Sequence, residues 1–404
     1  MNAPKFLVFL ALGLCSLSVV YGQVNLTPVD SIRETNVASS NYGWGIDYAN
    51  GQFAVAACGN AKNGVDDGVS TVYIYNDSGD FLQKVTPPDG YPHQFGSSGG
   101  VKISEKYLAV IAKSSTENVL VIYEKKADGK WKSGNDYLIR YVETGTTNYY
   151  FDVDGNNMLV TYSNNTGGGT KLLEISDAGW REVDIPEQFL AKVCTAVAIR
   201  GNLIGMAVKN DGYYVLEKVG ESWEKRLHIE GAPAAAKDAI AIGDGIVAFG
   251  NRTTTLLLAK EGDDGVWSSS SMLVGVKVNA VDIVGDVLIV SSNSSNMTEV
   301  YKNGETGWDL TATLSDPECS NVWCMAFDGK HLFTSYLQYK YEGKNSVGKV
   351  FIYDLSQTLT SIHAPKVNCM KDDDATIFDL QGRKLTRKPS TGLYIHRGKL
   401  KFAK

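Results

Sequence analysis

Ile199-Arg200-Gly201-Asn202-Leu203-Ile204 is an apolar strand that turns at a glycine and returns as a second apolar strand; downstream, the polar turn Gly220-Glu221-Ser222 leads into Trp223. Working outward, both landmarks recur. The first returns as Ile242-Gly243-Asp244-Gly245-Ile246-Val247, as Ile283-Val284-Gly285-Asp286-Val287-Leu288 and as Phe327-Asp328-Gly329-Lys330-His331-Leu332. It occurs again near Asn50-Gly51, Ser104-Glu105 and Asp154-Gly155. The second marks Trp131, Trp180, Trp223, Trp267 and Trp308, at spacings of 49, 43, 44 and 41 residues, each after a polar or Gly-containing turn. A fixed period of this length in strand-type sequence is the signature of a radial β architecture.

Seven copies result. Each offers strand, turn, strand, loop, a third strand such as Val69 to Tyr75, Val119 to Tyr123 or Val350 to Tyr353, then a Trp-led fourth strand. The expected fold is therefore all-β, a seven-bladed β-propeller. Helical patterning is almost absent, which disfavours a helical solenoid of the same period. The last copy lacks its own fourth strand after Val350 to Leu355, whereas Val29 to Thr35 is a spare strand ahead of copy one. The two ends are expected to complete one blade and hide its edge. The expected organisation is a signal peptide over 1–22, the propeller over 23–362, a linker over 363–374 and a short C-terminal β-hairpin segment over 375–404.

The chain has 404 residues, 43% of them hydrophobic, with 41 Gly and a net charge of −6. That composition fits a large folded core and gives no reason to expect a nucleic-acid partner. Residues 371 to 404 invert the balance with nine Lys or Arg against four Asp. Their charges interleave with Thr376-Ile377-Phe378 and Leu393-Tyr394-Ile395, which favours small β structure over a flexible basic arm.

Lys5, the uncharged run from Phe6 to Val20 and then Val20-Tyr21-Gly22 read as a secretory leader cleaved between Gly22 and Gln23. The large Leu14 before Cys15 argues against a lipobox. The mature chain is expected to have no transmembrane span, and a monomer is expected. Cys58, Cys194, Cys319, Cys324 and Cys369 are too scattered for a small disulfide framework, with Cys319 and Cys324 near enough in sequence to pair across a loop. Their spacing is not C-x-x-C, and the five histidines lie far apart, so no metal and no cofactor is expected.

Two resemblances add to this. Tyr42-Gly43-Trp44-Gly45 with Phe53-Ala54-Val55-Ala56-Ala57, and Phe95-Gly96-Ser97-Ser98 with Leu108-Ala109-Val110-Ile111-Ala112, resemble FG-GAP repeats of the integrin-type propeller. Ile377-Phe378-Asp379-Leu380-Gln381-Gly382-Arg383-Lys384-Leu385, followed by Gly392-Leu393-Tyr394-Ile395 and Gly398-Lys399, resembles the end of the C-terminal sorting domain of Bacteroidetes secreted proteins, read by the type IX secretion machinery. That resemblance implies a secreted or cell-surface bacterial protein.

Motifs for chemistry are mostly absent. Gly96-Ser97-Ser98-Gly99-Gly100 matches G-x-S-x-G, yet Val101 to Ala112 continues as β structure where a nucleophile elbow needs a helix. Gly167-Gly168-Gly169 lacks the following Gly-Lys-Ser/Thr of a phosphate loop. Asp152-Val153-Asp154-Gly155-Asn156 has too few spaced carboxylates for a calcium loop and reads as a strand turn. Asp66-Asp67 and Asp263-Asp264 lie in Gly-rich polar turns and read as solvated.

Superimposing the copies on the first landmark places Trp44, Tyr149, Thr195, Asp238, Asn279 and Trp323 near one level of the innermost strand, with Tyr42, Tyr91, His93 and Asn321 in loops just ahead. An aromatic sector beside a polar one suits a glycan, whose flat faces stack and whose hydroxyls need donors and acceptors. The expected ligand-binding residues are thus Trp44, Tyr149, Asp238, Asn279, Trp323 and His93, in a binding or adhesion module for a glycan or an extracellular protein. A secreted polysaccharide lyase or glycosidase is the competing expectation, and it would need a His, Tyr or carboxylate set converging on the axis. The lone His93 makes binding the favoured one.

Overall fold

In the computed structural model the described residues are 24–33, 40–59, 70–97, 99–164, 167–233, 239–304, 307–315, 321–360, 377–378, 384–385, 392–396 and 399–403. The leader with its Gly22–Gln23 junction, Asp238, Cys319 and the 363–374 linker lie outside them. Two short strands open the described chain, β1 (Val24–Leu26) and β2 (Asp30–Ile32). Seven blades follow. Blade 1 holds β3 (Tyr42–Ala49), β4 (Gln52–Ala57), β5 (Thr71–Asn76) and β6 (Phe81–Val85). Blade 2 holds β7 (Val101–Ile103), β8 (Tyr107–Lys113), β9 (Asn118–Glu124) and β10 (Ile139–Tyr141). Blade 3 holds β11 (Thr146–Asp154), β12 (Asn157–Asn164), β13 (Gly167–Ser176) and β14 (Gly179–Val183). Blade 4 holds β15 (Cys194–Arg200), β16 (Leu203–Val208), β17 (Gly212–Val219) and β18 (Ser222–Glu230). Blade 5 holds β19 (Ile240–Gly243), β20 (Ile246–Phe249), β21 (Thr255–Glu261) and β22 (Trp267–Leu273). Blade 6 holds β23 (Ala280–Val284), β24 (Val287–Ser291), β25 (Met297–Gly304) and β26 (Gly307–Ser315). Blade 7 holds β27 (Met325–Phe327), β28 (His331–Tyr336) and β29 (Lys349–Asp354).

Each blade is an antiparallel meander, and the chain is a seven-bladed propeller. Blade 7 takes its fourth strand from the N-terminal segment: β2 pairs antiparallel with β29, Asp30 opposite Ile352 and Ile32 opposite Val350. Within the spare strand foreseen over 29–35, Asp30–Ile32 does close the ring. The segment does one thing more, because β1 adds a parallel fifth strand to blade 6 beside β26. Nothing in the alternation of Val24-Asn25-Leu26 announced that second pairing. Helical structure among the described residues is limited to the turns Glu187–Phe189 and α1 (Ser356–Thr360).

The core is divided into seven apolar clusters, one at each blade junction. Strand β4 shows the cause: Phe53, Val55 and Ala57 face blade 7, while Ala54 and Ala56 face blade 2. Both faces of an inner strand are covered, so such strands read as unbroken apolar runs instead of alternating ones. Phe53 stacks on Phe333 across the junction that closes the ring, with ring centroids 3.4 Å apart.

The recurrent tryptophans have a packing role. Trp223, Trp267 and Trp308 open outer strands and wedge into the junction with the preceding blade. Trp180 opens β14 but remains 42% exposed, meeting Tyr141 edge-on at 5.3 Å. Trp131 departs from the pattern, for β10 begins eight residues later. Its backbone is instead held by Gln83 of blade 1, at 2.7 and 2.8 Å, and its indole N–H by Gln52 Oε1 at 3.0 Å.

The structure separates into two units, Met1–Leu359 and Thr360–Lys404. The second contains β30 (Ile377–Phe378), β31 (Lys384–Leu385), β32 (Gly392–His396) and β33 (Lys399–Ala403). The hairpin expected there is β32–β33, and β30 and β31 extend it to a four-stranded antiparallel sheet.

Candidate functional site

Seven inner strands surround the axis, and each turns its unpaired backbone edge towards it. Such an edge needs partners for its N–H and C=O groups. At the mouth where the first and second strands of each blade are joined, three aspartates supply them. Asp47 Oδ2 accepts the Ile103 N–H of blade 2 at 2.7 Å. Asp152 Oδ2 accepts the Ile199 N–H of blade 4 at 2.9 Å. Asp282 Oδ2 accepts the Phe327 N–H of blade 7 at 2.9 Å, while its Oδ1 holds its neighbour Ile283 at 2.8 Å. Each latch runs from one blade to the next. Arg200 performs the converse task, donating to the carbonyls of Ile242 and Ile283 at 2.9 and 3.2 Å. Lys102 lies 3.7 Å from Asp47.

These side chains line a cavity of about 570 Å³ to which all seven blades contribute. Loss of water around Asp152 pushes its pKa up to about 7, with Asp47 adding to the rise and Lys102 opposing it. Burial likewise lifts Asp282 to about 6, opposed by its two backbone N–H bonds and by Lys102 and Arg200. A carboxyl that holds its proton more tightly when folded lends stability at low pH and loses it as pH rises. Asp152→Asn keeps an acceptor for Ile199 and removes the titration. Its stability advantage over the parent should therefore grow from pH 4 to pH 7 and level off above, reaching about 2 kcal/mol after allowance for the open side of the cavity. Chemical denaturation across that range reads it, and an advantage independent of pH would refute the assignment.

Sequence reasoning passed over this ring. Its signal was present, since Asp47, Asp152 and Asp282 occupy one offset from the turn landmark in copies one, three and six. The segment read as a strand turn, Asp152 to Asn156, is that turn and also a latch: Asp154 Oδ2 accepts the Gly201 N–H at 2.7 Å. Among the described residues no three His, Cys, Asp or Glu side chains gather as a metal site.

The level foreseen from the repeat lies three residues further back along the inner strands, about 10 Å towards the opposite mouth. There Trp44 and Trp323, from blades 1 and 7, meet edge to face with ring centroids 6.4 Å apart and planes at 85°. Both are half-buried. A bulge between Tyr42 and Gly45 sets Trp44 out of the regular ladder, and Gly43 makes it possible: its φ is +90° and a Cβ would lie 2.6 Å from Ser335. The Trp44 carbonyl is held by the Gly99 N–H at 2.8 Å. Gly96, in the G-x-S-x-G stretch, has φ +78° and a Cβ there would lie 2.5 Å from that of Ala56. Gly43 thus lets blades 1 and 7 approach, and Gly96 blades 1 and 2.

The remaining residues of that level separate. Tyr149 is buried between blades 2 and 3, its hydroxyl accepting the Glu143 N–H at 2.8 Å. Thr195 Oγ1 donates to the Ala207 carbonyl at 3.3 Å. Asn279 is nine-tenths buried, and its Oδ1 has no partner; neither has Trp44 Nε1. His93 pairs through its backbone with Lys113 at the end of β8. Tyr42 is buried against the Tyr75 hydroxyl at 2.6 Å, and the Tyr91 hydroxyl sits between Glu117 and Arg140. Of the aromatics foreseen at this mouth, the two indoles alone stay together there as a pair.

No family model matches the sequence, and no curated protein matches it. Solved structures do. The propeller is similar to the β-propeller domain of Cps50 (Swd1) from Myceliophteria thermophila, with a TM-score of 0.56 at 11% identity over 81% of this chain and 99% of that one. A chain of a mitotic checkpoint complex gives 0.54 at 14% identity, over 88% and 98%. U3-55K gives 0.52 at 14% identity, over 81% and 100%. The likeness is one of fold. At such identities it carries no ligand or reaction with it. Function has to be argued from this chain's own mouths and edges.

Proposed function

We propose that this chain is a binding module that works outside the cell, holding a glycan or a protein on the propeller mouth where Trp44 and Trp323 meet. The edge-to-face indole pair carries the reading. Two half-exposed aromatics at the rim of an axial channel offer a large rigid contact area at low entropic cost, as ligand-anchoring surfaces require. The leader-like 1–22 segment and the sorting-like C-terminal segment support an extracellular address. Binding is preferred to catalysis because the axial carboxylates Asp47, Asp152 and Asp282 are engaged on backbone N–H groups.

The test is an array of polysaccharides and extracellular proteins probed with the full chain, each spot also assayed for new reducing ends and for unsaturated uronic products. The double variant Trp44→Ala/Trp323→Ala should weaken the captured ligand at least about twentyfold, about 1.8 kcal/mol and so more than the roughly 0.5 to 1.5 kcal/mol of one aromatic contact. Unchanged capture by a folded double variant would end the assignment of this mouth, and product release would turn the reading to an enzyme.

A further inference from the structure

The two mouths of the propeller carry opposite charge. The cavity around Asp47, Asp152 and Asp282 is lined by six carboxylates, with Glu105, Asp154 and Asp328 completing the set, against two cations, Lys102 and Arg200. At the indole mouth the balance reverses on blades 5, 6 and 7. Arg252 stands in the loop after β20, Lys277 two residues before Asn279, and Lys340 and Lys344 in the loop between β28 and β29; all four are exposed. Among the described residues of these loops Glu342 is the one carboxylate. Glu299 is buried below them, its Oε2 accepting the Gly275 N–H at 2.9 Å and the Tyr301 hydroxyl at 2.6 Å. Among the described residues Arg252, Lys277 and Lys340 join no ion pair.

Backbone contacts fix these cations around the indoles. The Asn41 N–H donates to the Ser346 carbonyl at 3.0 Å and the Tyr42 N–H to the Val347 carbonyl at 3.1 Å, so the loop with Lys340 and Lys344 is tied to the residues that lead into Trp44. Arg33, 3.3 Å over the Tyr341 ring, and Lys349, 4.9 Å over the Tyr339 ring, brace that loop. The Arg252 N–H donates to the Val278 carbonyl at 2.8 Å, between Lys277 and Asn279. Burial raises the pKa of Tyr150 on the inner strand of blade 3, and the Arg252 guanidinium opposes the rise, so this charge acts across the mouth, past blade 4. On blades 2 to 4 the cations of this mouth are largely matched: Arg140 with Glu117 at 3.4 Å, Lys171 with Glu143 at 2.7 Å and Lys192 with Asp211 at 3.1 Å. Lys113, which ends β8, and Lys209, which follows β16, add two more. The carboxylates on this side without a cationic partner among the described residues, Asp89, Asp184, Glu187 and Glu230, lie at or just after the ends of outer strands, away from the axis.

In a chain of net charge −6, a rim with a surplus of cations selects anions, and the field of the opposite mouth turns them away. The cations come from several blades, so a guest that meets them carries repeated negative charge, and the indole pair adds a flat apolar face. Resting on the binding function proposed above, we infer that the guest of the Trp44–Trp323 mouth is an acidic polysaccharide, its carboxylate or sulfate groups paired with Arg252, Lys277 and Lys340 and a sugar face against an indole.

The experiment titrates the full chain by calorimetry with hexamers of polygalacturonate and heparin, with neutral hexamers of the cello and malto series, and with a single-stranded oligothymidylate of equal charge. An acidic hexamer is expected to bind at least about tenfold more tightly than any neutral one or the oligonucleotide, and to lose roughly tenfold in affinity from about 50 to about 300 mM salt as its ion pairs are screened. Arg252→Gln/Lys277→Gln/Lys340→Gln should weaken that binding about tenfold or more, each exposed pair contributing modestly and the three together. Lys130→Gln/Lys218→Gln/Lys260→Gln removes the same charge away from this mouth and should change it less than about twofold. Thermal unfolding confirms that each variant is folded. Equal or tighter binding of a neutral hexamer or of the oligonucleotide, or parental affinity in the mouth variant, overturns the inference. If every saccharide fails while a protein ligand is released by Trp44→Ala/Trp323→Ala, the inference falls and the binding function stands. A folded double variant that keeps every captured ligand removes both.

Discussion

Deleting residues 24–33 is expected to lower the thermal midpoint by about 10 °C or more and to turn a monodisperse protein into one that associates. The deletion removes β1 from blade 6 and β2 from blade 7, with ladder bonds at about 1 kcal/mol each and the half-buried side chains of Leu26 and Ile32. A loss of about 5 kcal/mol follows, and at 2 to 4 °C per kcal/mol it gives the stated shift. The second consequence is topological. Without β2 the ring is no longer closed by a strand from the opposite chain end, and β29 becomes an open edge, a template for pairing with another chain. Thermal unfolding together with size-exclusion chromatography reads both effects. A truncated chain with the parental midpoint and elution volume would show that the junction between blades 7 and 1, with Phe53 on Phe333, closes the ring alone.

Gly348→Ala should destabilise by about 4 kcal/mol and also abolish ligand capture at the indole mouth. Gly348 forms a parallel bridge with Tyr42, and a Cβ on it would lie 2.3 Å from the Tyr42 oxygen and 2.4 Å from its nitrogen. Backbone cannot retreat as a side chain can, so Tyr42 must move, and Trp44 lies two residues on. The left-handed φ of +81° adds about 1 kcal/mol for any residue with a Cβ. Gly51→Ala is the control: its φ is +72°, but nothing lies within 4 Å of the new methyl, so about 1 kcal/mol is expected and capture should persist. Equal losses in the two variants would show that φ alone matters and that the contact with Tyr42 yields freely.

Much of the fold was legible because its information is local. An apolar run, a glycine at positive φ such as Gly201 or Gly285, and a second apolar run specify a hairpin wherever they occur, and seven such units have one economical way to cover both faces of their inner strands. The missing fourth strand of copy seven and the surplus strand at the other end fit by counting alone. The parallel seat of β1 beside β26 escaped, because three residues carry too little pattern to specify a partner strand. Trp131 misled for a related reason: Gln83 and Gln52 of blade 1 hold it, and side-chain partners on another blade leave no mark on local periodicity.

The axial side chains divide in the same way. Their level came out of the repeat, since register is propagated residue by residue from each turn. What happens at that level did not. Tyr149 is drawn into a blade junction while Trp44, displaced by the bulge at Gly43, meets an indole 279 positions away in the chain. Asp152, which reads as part of a strand turn, and Asp282, which sequence reasoning passed over, became latches on the next blade, both lifted towards neutrality by lost water. The amino-acid sequence by itself determined the period, the number of blades and the two ends that close them, because hydrophobic alternation and turn chemistry act over a few residues. Only the tertiary structure decided which side chains meet on the axis and which polar atoms are left without partners, because those depend on ring closure, which brings distant copies together and removes water from between them.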